Sequence, residues 1–141
     1  MLIFGQEKAL LPWAAERIGV RQFRADARAI GLRISDRLRA VVVYDTFSEC
    51  DCHMHIASDG EPNWLTREFL VHAFSYPFIQ CGMRRVTGLV DAKNKPALRL
   101  DLHLGFVVEG FHPKAMPQGD VYTLGMLRET CRFIPRELRH A

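Results

Sequence analysis

Leu104-Gly105-Phe106-Val107-Val108-Glu109-Gly110 is the stretch on which the fold turns. Apolar residues at helical spacing end at Leu104, a glycine follows, and a β-prone run begins at Phe106. Glycine closes a helix in the left-handed conformation at little steric cost. The aromatic and β-branched residues after it favour an extended chain. The segment therefore reads as a helix-to-strand junction.

Working backward, the helix that ends there begins near Asn94, whose side chain suits an N-cap. Pro96 falls in its first turn, where a missing N–H costs nothing. Residues 84–90 read as a strand. Before them residues 64–80 read as a helix with Asn63 as N-cap; Leu65, Phe69, Val71, Ala73 and Phe74 supply its apolar content, Pro77 disturbs its last turn, and Cys81-Gly82 ends it. Residues 29–35 and 38–47 are two strands joined by a turn at Ser35-Asp36-Arg37. Val41-Val42-Val43-Tyr44 is the strongest β run in the chain. Residues 51–57 form a third strand, followed by the turn-rich Ser58-Asp59-Gly60-Glu61-Pro62-Asn63. At the N-terminus residues 1–4 suit a short strand. Residues 6–18 suit a helix that contains Pro12 and closes at Gly19. Forward of the junction, residues 106–110 and 121–127 are the last strands, separated by a loop at residues 113–120, and residues 128–138 are a polar tail of weak structure.

The element order is β-α-β-β-β-α-β-α-β-β. That is an α/β chain with a mixed, largely antiparallel central sheet flanked by helices. Its 141 residues suit one domain, residues 1–141, with one core. A hydrophobic share of 48% and a charged share of 25% are those of an ordinary globular protein. No apolar run approaches the ~20 residues that span a bilayer. Met1-Leu2-Ile3-Phe4-Gly5-Gln6-Glu7 has no long apolar stretch of the signal-peptide kind, so a cytoplasmic setting is expected. Cys50, Cys52, Cys81 and Cys131 then read as reduced thiols. The net charge of +3 is mild. Arg17, Arg21, Arg24, Arg28 and Arg33 alternate with alanines and hydrophobics, as on a solvated face. Without interleaved aromatics they argue little for nucleic-acid binding.

Several motifs in this order resemble the GNAT superfamily of acyl-CoA-dependent N-acyltransferases. The junction 104–110 resembles a Leu-Gly-Phe-x-x-Glu-Gly signature typical of the branch that includes ribosomal-protein alanine acetyltransferases. Gly82-Met83-Arg84-Arg85-Val86 resembles the entry into the family's fifth strand. Asp91-Ala92-Lys93-Asn94-Lys95-Pro96-Ala97 resembles its following helix start, and Tyr122-Thr123-Leu124-Gly125-Met126-Leu127-Arg128 its closing strand. The resemblance covers residues 51–131; before that it is one of topology.

The resemblance implies a GNAT-like fold, acetyl-CoA as cosubstrate, and direct transfer of its acetyl group to a primary amine of a small molecule or protein. It implies that the fourth and fifth strands part, with pantetheine in the gap against backbone of Ile56, Ala57 and Ser58. It implies that Asn63, Trp64, Leu65, Thr66 and Arg67 surround the pyrophosphate, where a helix start offers unpaired N–H groups to an anion. Asn94 is implied near the pantetheine arm, and Glu109 on the acceptor side as a catalytic candidate for amine binding or proton relay, the alternative being a solvated or hydrogen-bonded strand residue. Exposed strand edges in this fold often pair, so a homodimer fits. Two departures stand out. The family's pyrophosphate loop, Gln/Arg-x-x-Gly-x-Gly/Ala, is here Glu61-Pro62-Asn63-Trp64-Leu65-Thr66, with no glycine and an acidic first residue. Many relatives carry a tyrosine four residues before the junction glycine as acid for the leaving thiolate; here that position is Asp101, with His103 nearby.

Acyl transfer to an amine needs a neutral amine, and histidine is a natural base near neutral pH. Strand alternation puts His53 and His55 on one face, with Asp51, and Cys52, Met54 and Ile56 on the other. His53 and His55 are the candidate bases; the alternative is that they simply line a surface or pack against a helix. Cys50, Cys52 and the two histidines do not converge in a strand, and no second cluster completes a tetrahedral set, so no metal site is expected.

Overall fold

Val41, Val42, Val43 and Tyr44 are at most 1% exposed, buried on both faces of a sheet that helices cover from two sides. The computed structural model describes residues 1–140. Among them seven strands form one sheet: β1 (Leu2–Ile3), β2 (Arg28–Ile34), β3 (Arg37–Asp45), β4 (Asp51–Ser58), β5 (Arg85–Asp91), β6 (Val107–Met116) and β7 (Gly119–Leu127). Three helices accompany them: α1 (Glu7–Ile18), α2 (Arg67–Ser75) and α3 (Lys95–Leu104). The order across the sheet is β1-β2-β3-β4-β5-β7-β6. Every neighbouring pair is antiparallel except β4 and β5. None of the helices among the described residues is long and apolar enough to cross a membrane.

The two faces carry two cores. Val42, Tyr44, Cys52, Met54, Val86 and Val90 pack with α2, α3 and the C-terminal segment. Val41, Val43 and Ala57 pack with Leu10 and Ala14 of α1. The alternation of β4 sends Cys52, Met54 and Ile56 to the α2–α3 face, the core face that the sequence predicts for them. Gly31 lets α1 sit close, because a Cβ there would meet Leu10 Cδ2 at 2.8 Å. The β2–β3 turn is a tight hairpin. Ser35 (φ 52°) and Asp36 (φ 62°) are both left-handed, as a two-residue turn between twisted strands demands.

Three sequence expectations need correction. The second helix starts at Arg67, not at residue 64, and Asn63 is not its cap. Asn63 is left-handed (φ 73°), and the Thr66 hydroxyl accepts from the Phe69 N–H at 3.2 Å instead. Downstream the helix widens over Tyr76–Gln80, where the Cys81 N–H donates to the Tyr76 carbonyl five residues back. Pro77 explains the change, because it has no N–H to give to the Ala73 carbonyl. That orphaned carbonyl accepts the hydroxyl of Tyr44, which is fully buried beneath it.

The expected loop at residues 113–120 is mostly strand. β6 runs to Met116, and the hairpin closes where Met116 faces Gly119. β6 is an edge strand, where Pro113 removes no needed hydrogen bond. Finally, the polar tail is docked rather than loose. Cys131 and Ile134 are buried, and Phe133 stacks on Phe74 at 5.0 Å. Arg132 donates to the carbonyls of His103 and Leu104, closing the end of α3.

Candidate active site

β4 and β5 are hydrogen-bonded neighbours over three residue pairs only: Asp51 with Arg85, Cys52 with Val86, and His53 with Thr87. Both strands continue beyond this, β4 to Ser58 and β5 to Asp91. The sheet therefore forks. β3 still pairs with β4 as far as Ser58, and β7 with β5 as far as Asp91, so each prong is supported from outside. Along the fork every second backbone N–H and C=O of β4, including those within Ile56, Ala57 and Ser58, turns toward the gap. α2 follows the end of β4 and α3 follows the end of β5, so both helix starts belong to the mouth of the fork.

At the apex, on the α1 face, stand His53 and His55. Their rings lie 6.4 Å apart, edge to face. His55 Nε2 is 3.0 Å from Asp45 Oδ1. Asp45 is only 5% exposed. Burial pushes its carboxyl up, but the His55 hydrogen bond, the two histidines' charge and the Thr46 hydroxyl together outweigh that and hold it below the ordinary value. Asp45 is thus an ionised orienting partner that fixes the His55 ring. His53 belongs to the last β4–β5 pair and has no hydrogen-bond partner among the described residues. The sequence did not single out Asp45. Its place opposite His53 on β3 is the signal that pairing β3 with β4 makes readable. The ligand atoms of Asp45, His53 and His55 lie within 4.8 Å of one another, close enough to share a cation. The Asp45–His55 hydrogen bond already engages two of these atoms.

The same face continues into a polar network on β5 and β6. The Thr87 hydroxyl donates to Asp51 at 2.9 Å. Arg85 reaches Glu109 through two contacts, 2.5 and 3.3 Å, and stands 3.7 Å from Asp51. Glu109 therefore lies on the histidine face, at an irregularity in β6, with its carboxylate held by Arg85. The pair crosses β7 directly above Gly125, where a Cβ would stand 2.3 Å from Arg85 and 2.5 Å from Glu109.

The mouth differs. The Gly60 N–H donates to Ser58 Oγ and the Glu61 N–H to Asp59 Oδ1. Pro62 has no N–H, so the loop consumes most of its own donors. Arg39, unnoticed in the sequence, fastens it: Nε pairs with Asp59 at 2.7 Å and a second nitrogen donates to the Pro62 carbonyl at 2.6 Å. Trp64 turns away from the mouth, edge-on to Phe69 at 6.3 Å and packed against the core. Leu65 is exposed, and Thr66 is committed to its cap. The free N–H groups at the start of α2 are those of Arg67 and the next residue, with the Arg67 side chain exposed beside them. At the other prong Asn94 caps α3 by accepting from the Ala97 N–H at 3.2 Å. A separate cleft of about 260 Å³, lined in part by Glu7, Arg28, Tyr44 and Tyr76, contains none of the residues expected from sequence.

No family model matches the sequence, and no curated protein matches it. Solved structures do. The chain superposes on a variant of the spermidine N-acetyltransferase SpeG of Vibrio cholerae with a TM-score of 0.76, at 14% identity over 97% of each chain. A manganese complex of the spermidine/spermine N-acetyltransferase SpeG gives a TM-score of 0.65 at 18% identity, over 74% of this chain and 67% of that one. The N-acetyltransferase PseH of Campylobacter jejuni, in complex with acetyl coenzyme A, gives 0.59 at 12% identity, over 74% and 70%. The chain has the fold of the GNAT acetyltransferases.

Proposed function

We propose that a chain with this fold is an acyl-CoA-dependent N-acetyltransferase, with the thioester in the β4–β5 fork and a primary amine approaching from the α1 face. The observation that carries the reading is the coincidence of the fork apex with an unpartnered histidine, His53, beside an oriented Asp45–His55 pair. His53 accepts the proton of the attacking nitrogen. Asp45 and His55 are positioning residues that keep a polar, ordered wall beside it. Such base catalysis is worth roughly 10²–10⁴-fold in rate. Backbone of Ile56, Ala57 and Ser58 holds pantetheine, and the start of α2 with Arg67 and Arg39 faces the pyrophosphate. Asn94 and Trp64 act through the shape of the mouth, as cap and core residue. Glu109, neutralised by Arg85, shapes the acceptor side rather than taking protons. The four free cysteines and the cosubstrate suit a cytoplasmic setting.

The two acceptor classes to try first are a polyamine, which the SpeG neighbours acetylate, and a peptide with a free N-terminal alanine, which the junction signature suggests. Turnover of spermidine or such a peptide, lost in the His53→Ala/His55→Ala double variant with acetyl-CoA binding intact, is the expected result. Wild-type binding of acetyl-CoA without turnover of any amine overturns the enzymatic reading. A second reading has its own observation: Gly60 and Glu61 donate to their neighbours' side chains, not outward. A non-catalytic protein of the same fold, with a closed phosphate loop, would not bind acetyl-CoA at all.

A further inference from the structure

Asp45 is a buried carboxylate that no lysine or arginine answers; its one ion-pair partner among the described residues is His55. A buried charge is ordinarily paired with a cation or coordinated to a metal ion. Both hydrogen bonds that Asp45 accepts, from His55 and from the Thr46 hydroxyl at 3.2 Å, fall on Oδ1. Oδ2 has no hydrogen-bond partner in the protein. Neither has His53, which stands directly across from Asp45 in the β3–β4 register. Donor atoms of Asp45, His53 and His55 nevertheless lie within 4.8 Å of one another. Two of the three groups thus hold donors that nothing in the fold uses.

Three strands fix the arrangement. β4 carries both histidines, two residues apart on one face, β3 carries Asp45, and β5 holds β4 at His53. The Phe23 ring lies 5.7 Å from that of His55 and limits its movement. Cys52, between the two histidines, belongs to the opposite core and is no part of the set. The third ligand comes from a neighbouring strand, which is why spacing along β4 does not reveal it.

We propose that Asp45, His53 and His55 form a site for one divalent cation of the zinc class. Two imidazole nitrogens and one carboxylate oxygen suit Zn²⁺, Co²⁺ or Ni²⁺, whereas Mg²⁺ and Ca²⁺ seek oxygen alone. Zinc takes such donors at about 2.0–2.2 Å, which sets neighbouring corners of its tetrahedron about 3.3 Å apart. Asp45 Oδ1 and His55 Nε2 already stand at 3.0 Å, so the closing movement falls to His53. The ion replaces the Asp45–His55 hydrogen bond. Neutral His55 then carries its proton on Nδ1 and gives the Nε2 lone pair. Three protein ligands leave a fourth position for water on the α1 face, where both histidines are half-buried. The site does not depend on the acetyltransferase reading. It meets that reading at His53, where an ion holds the lone pair that the attacking amine requires and so stops the transfer.

The test titrates chelator-treated protein with Zn²⁺ by calorimetry and with Co²⁺ by visible absorption. One ion per chain, with the strong d–d bands of a low-symmetry Co²⁺ site and no heat from Mg²⁺, is the expected result. An outer-shell partner is worth about 10–100-fold in metal affinity, so loss of a ligand in His53→Ala or Asp45→Asn should weaken Zn²⁺ by about 100-fold or more. Zn²⁺ binding that survives both substitutions overturns the proposal. Where a variant fails to fold, NMR of the wild type decides: of the six histidines, His53 and His55 alone should shift their ring signals with the first equivalent of Zn²⁺. Shifts confined to the other histidines, or no binding, contradict the site. Turnover of spermidine or the alanyl peptide, where found, should be lost with one equivalent of Zn²⁺ and restored by chelator. Turnover undisturbed by bound Zn²⁺ overturns the inhibition, and with it His53 as the base, while the metal titration stands on its own.

Discussion

The apex and the mouth of the fork are built by opposite means. At the apex, side chains do the work: His53, His55, Asp45, Asp51 and Thr87 project from paired strands whose register fixes each one. At the mouth, backbone does the work, and most of that backbone is already engaged. Ser58 and Asp59 take two N–H groups, Thr66 takes a third, and Arg39 ties the loop down from β3. A side-chain site is specified by alternation along a strand. A backbone site is specified by what its neighbours leave free, which only the fold reveals. On the proposed acetyltransferase reading, the comparison predicts that substitutions at the apex act on turnover and substitutions at the mouth on cofactor affinity.

The largest effect should come from the apex. His53→Ala is expected to lower kcat by about 10²–10³-fold with little change in acetyl-CoA affinity, measured by steady-state kinetics and calorimetry. His55→Ala and Asp45→Asn should cost less, about tenfold, because they act through position. Equal losses for all three would break the distinction between base and positioning pair.

The next effect is one of stability. The Asp101 pKa is raised in the folded state, to about 6, so the fold prefers its protonated form. Stability is therefore fully present below about pH 4 and declines as pH rises to about 6, where the cost of the buried charge is complete. Asp101→Asn should raise stability at pH 7 by roughly 2–3 kcal/mol and leave it unchanged near pH 4, as read by urea unfolding at the two pH values. A variant that gains nothing at pH 7 would show that the carboxyl is better solvated than its place implies.

Between apex and β6, Gly125→Ala puts a Cβ against the far ends of the partly exposed Arg85 and Glu109 side chains, which can swing aside, and should cost no more than about 1 kcal/mol, the worth of the displaced ion pair. The backbone at Gly125 is ordinary, so the cost comes from displacing that pair; a Glu109→Ala background should relieve part of it. The smallest effect on turnover belongs to the mouth. Arg39→Ala frees the loop at residues 59–62 and should weaken acetyl-CoA by about tenfold while leaving kcat nearly unchanged. A drop in kcat instead would mean that mouth and apex are not separable.

The sequence made the apex readable because period-2 alternation leaves no choice once β4 is recognised. His53 and His55 fell on one face, and Cys52 and Met54 on the other, as the structure has them. Asp45 was invisible, since its meeting with His55 depends on register between two strands. The sequence puts the helix at the mouth three residues early because Asn63 looks like a cap. Its left-handed backbone and the competing Thr66 hydroxyl are outcomes of the loop's own hydrogen bonds. Trp64, bulky where phosphate is expected, is half-buried and packs against the core beside Phe69. The C-terminal segment reads as loose because its charges outnumber Cys131, Phe133 and Ile134, yet those three are what dock it.

Titration calorimetry of the wild-type protein with acetyl-CoA tests the central claim most directly. A one-to-one complex of micromolar affinity that survives the His53→Ala/His55→Ala substitutions is the predicted result. No heat at millimolar cofactor would contradict the account and leave a protein with the acetyltransferase fold whose phosphate loop is closed.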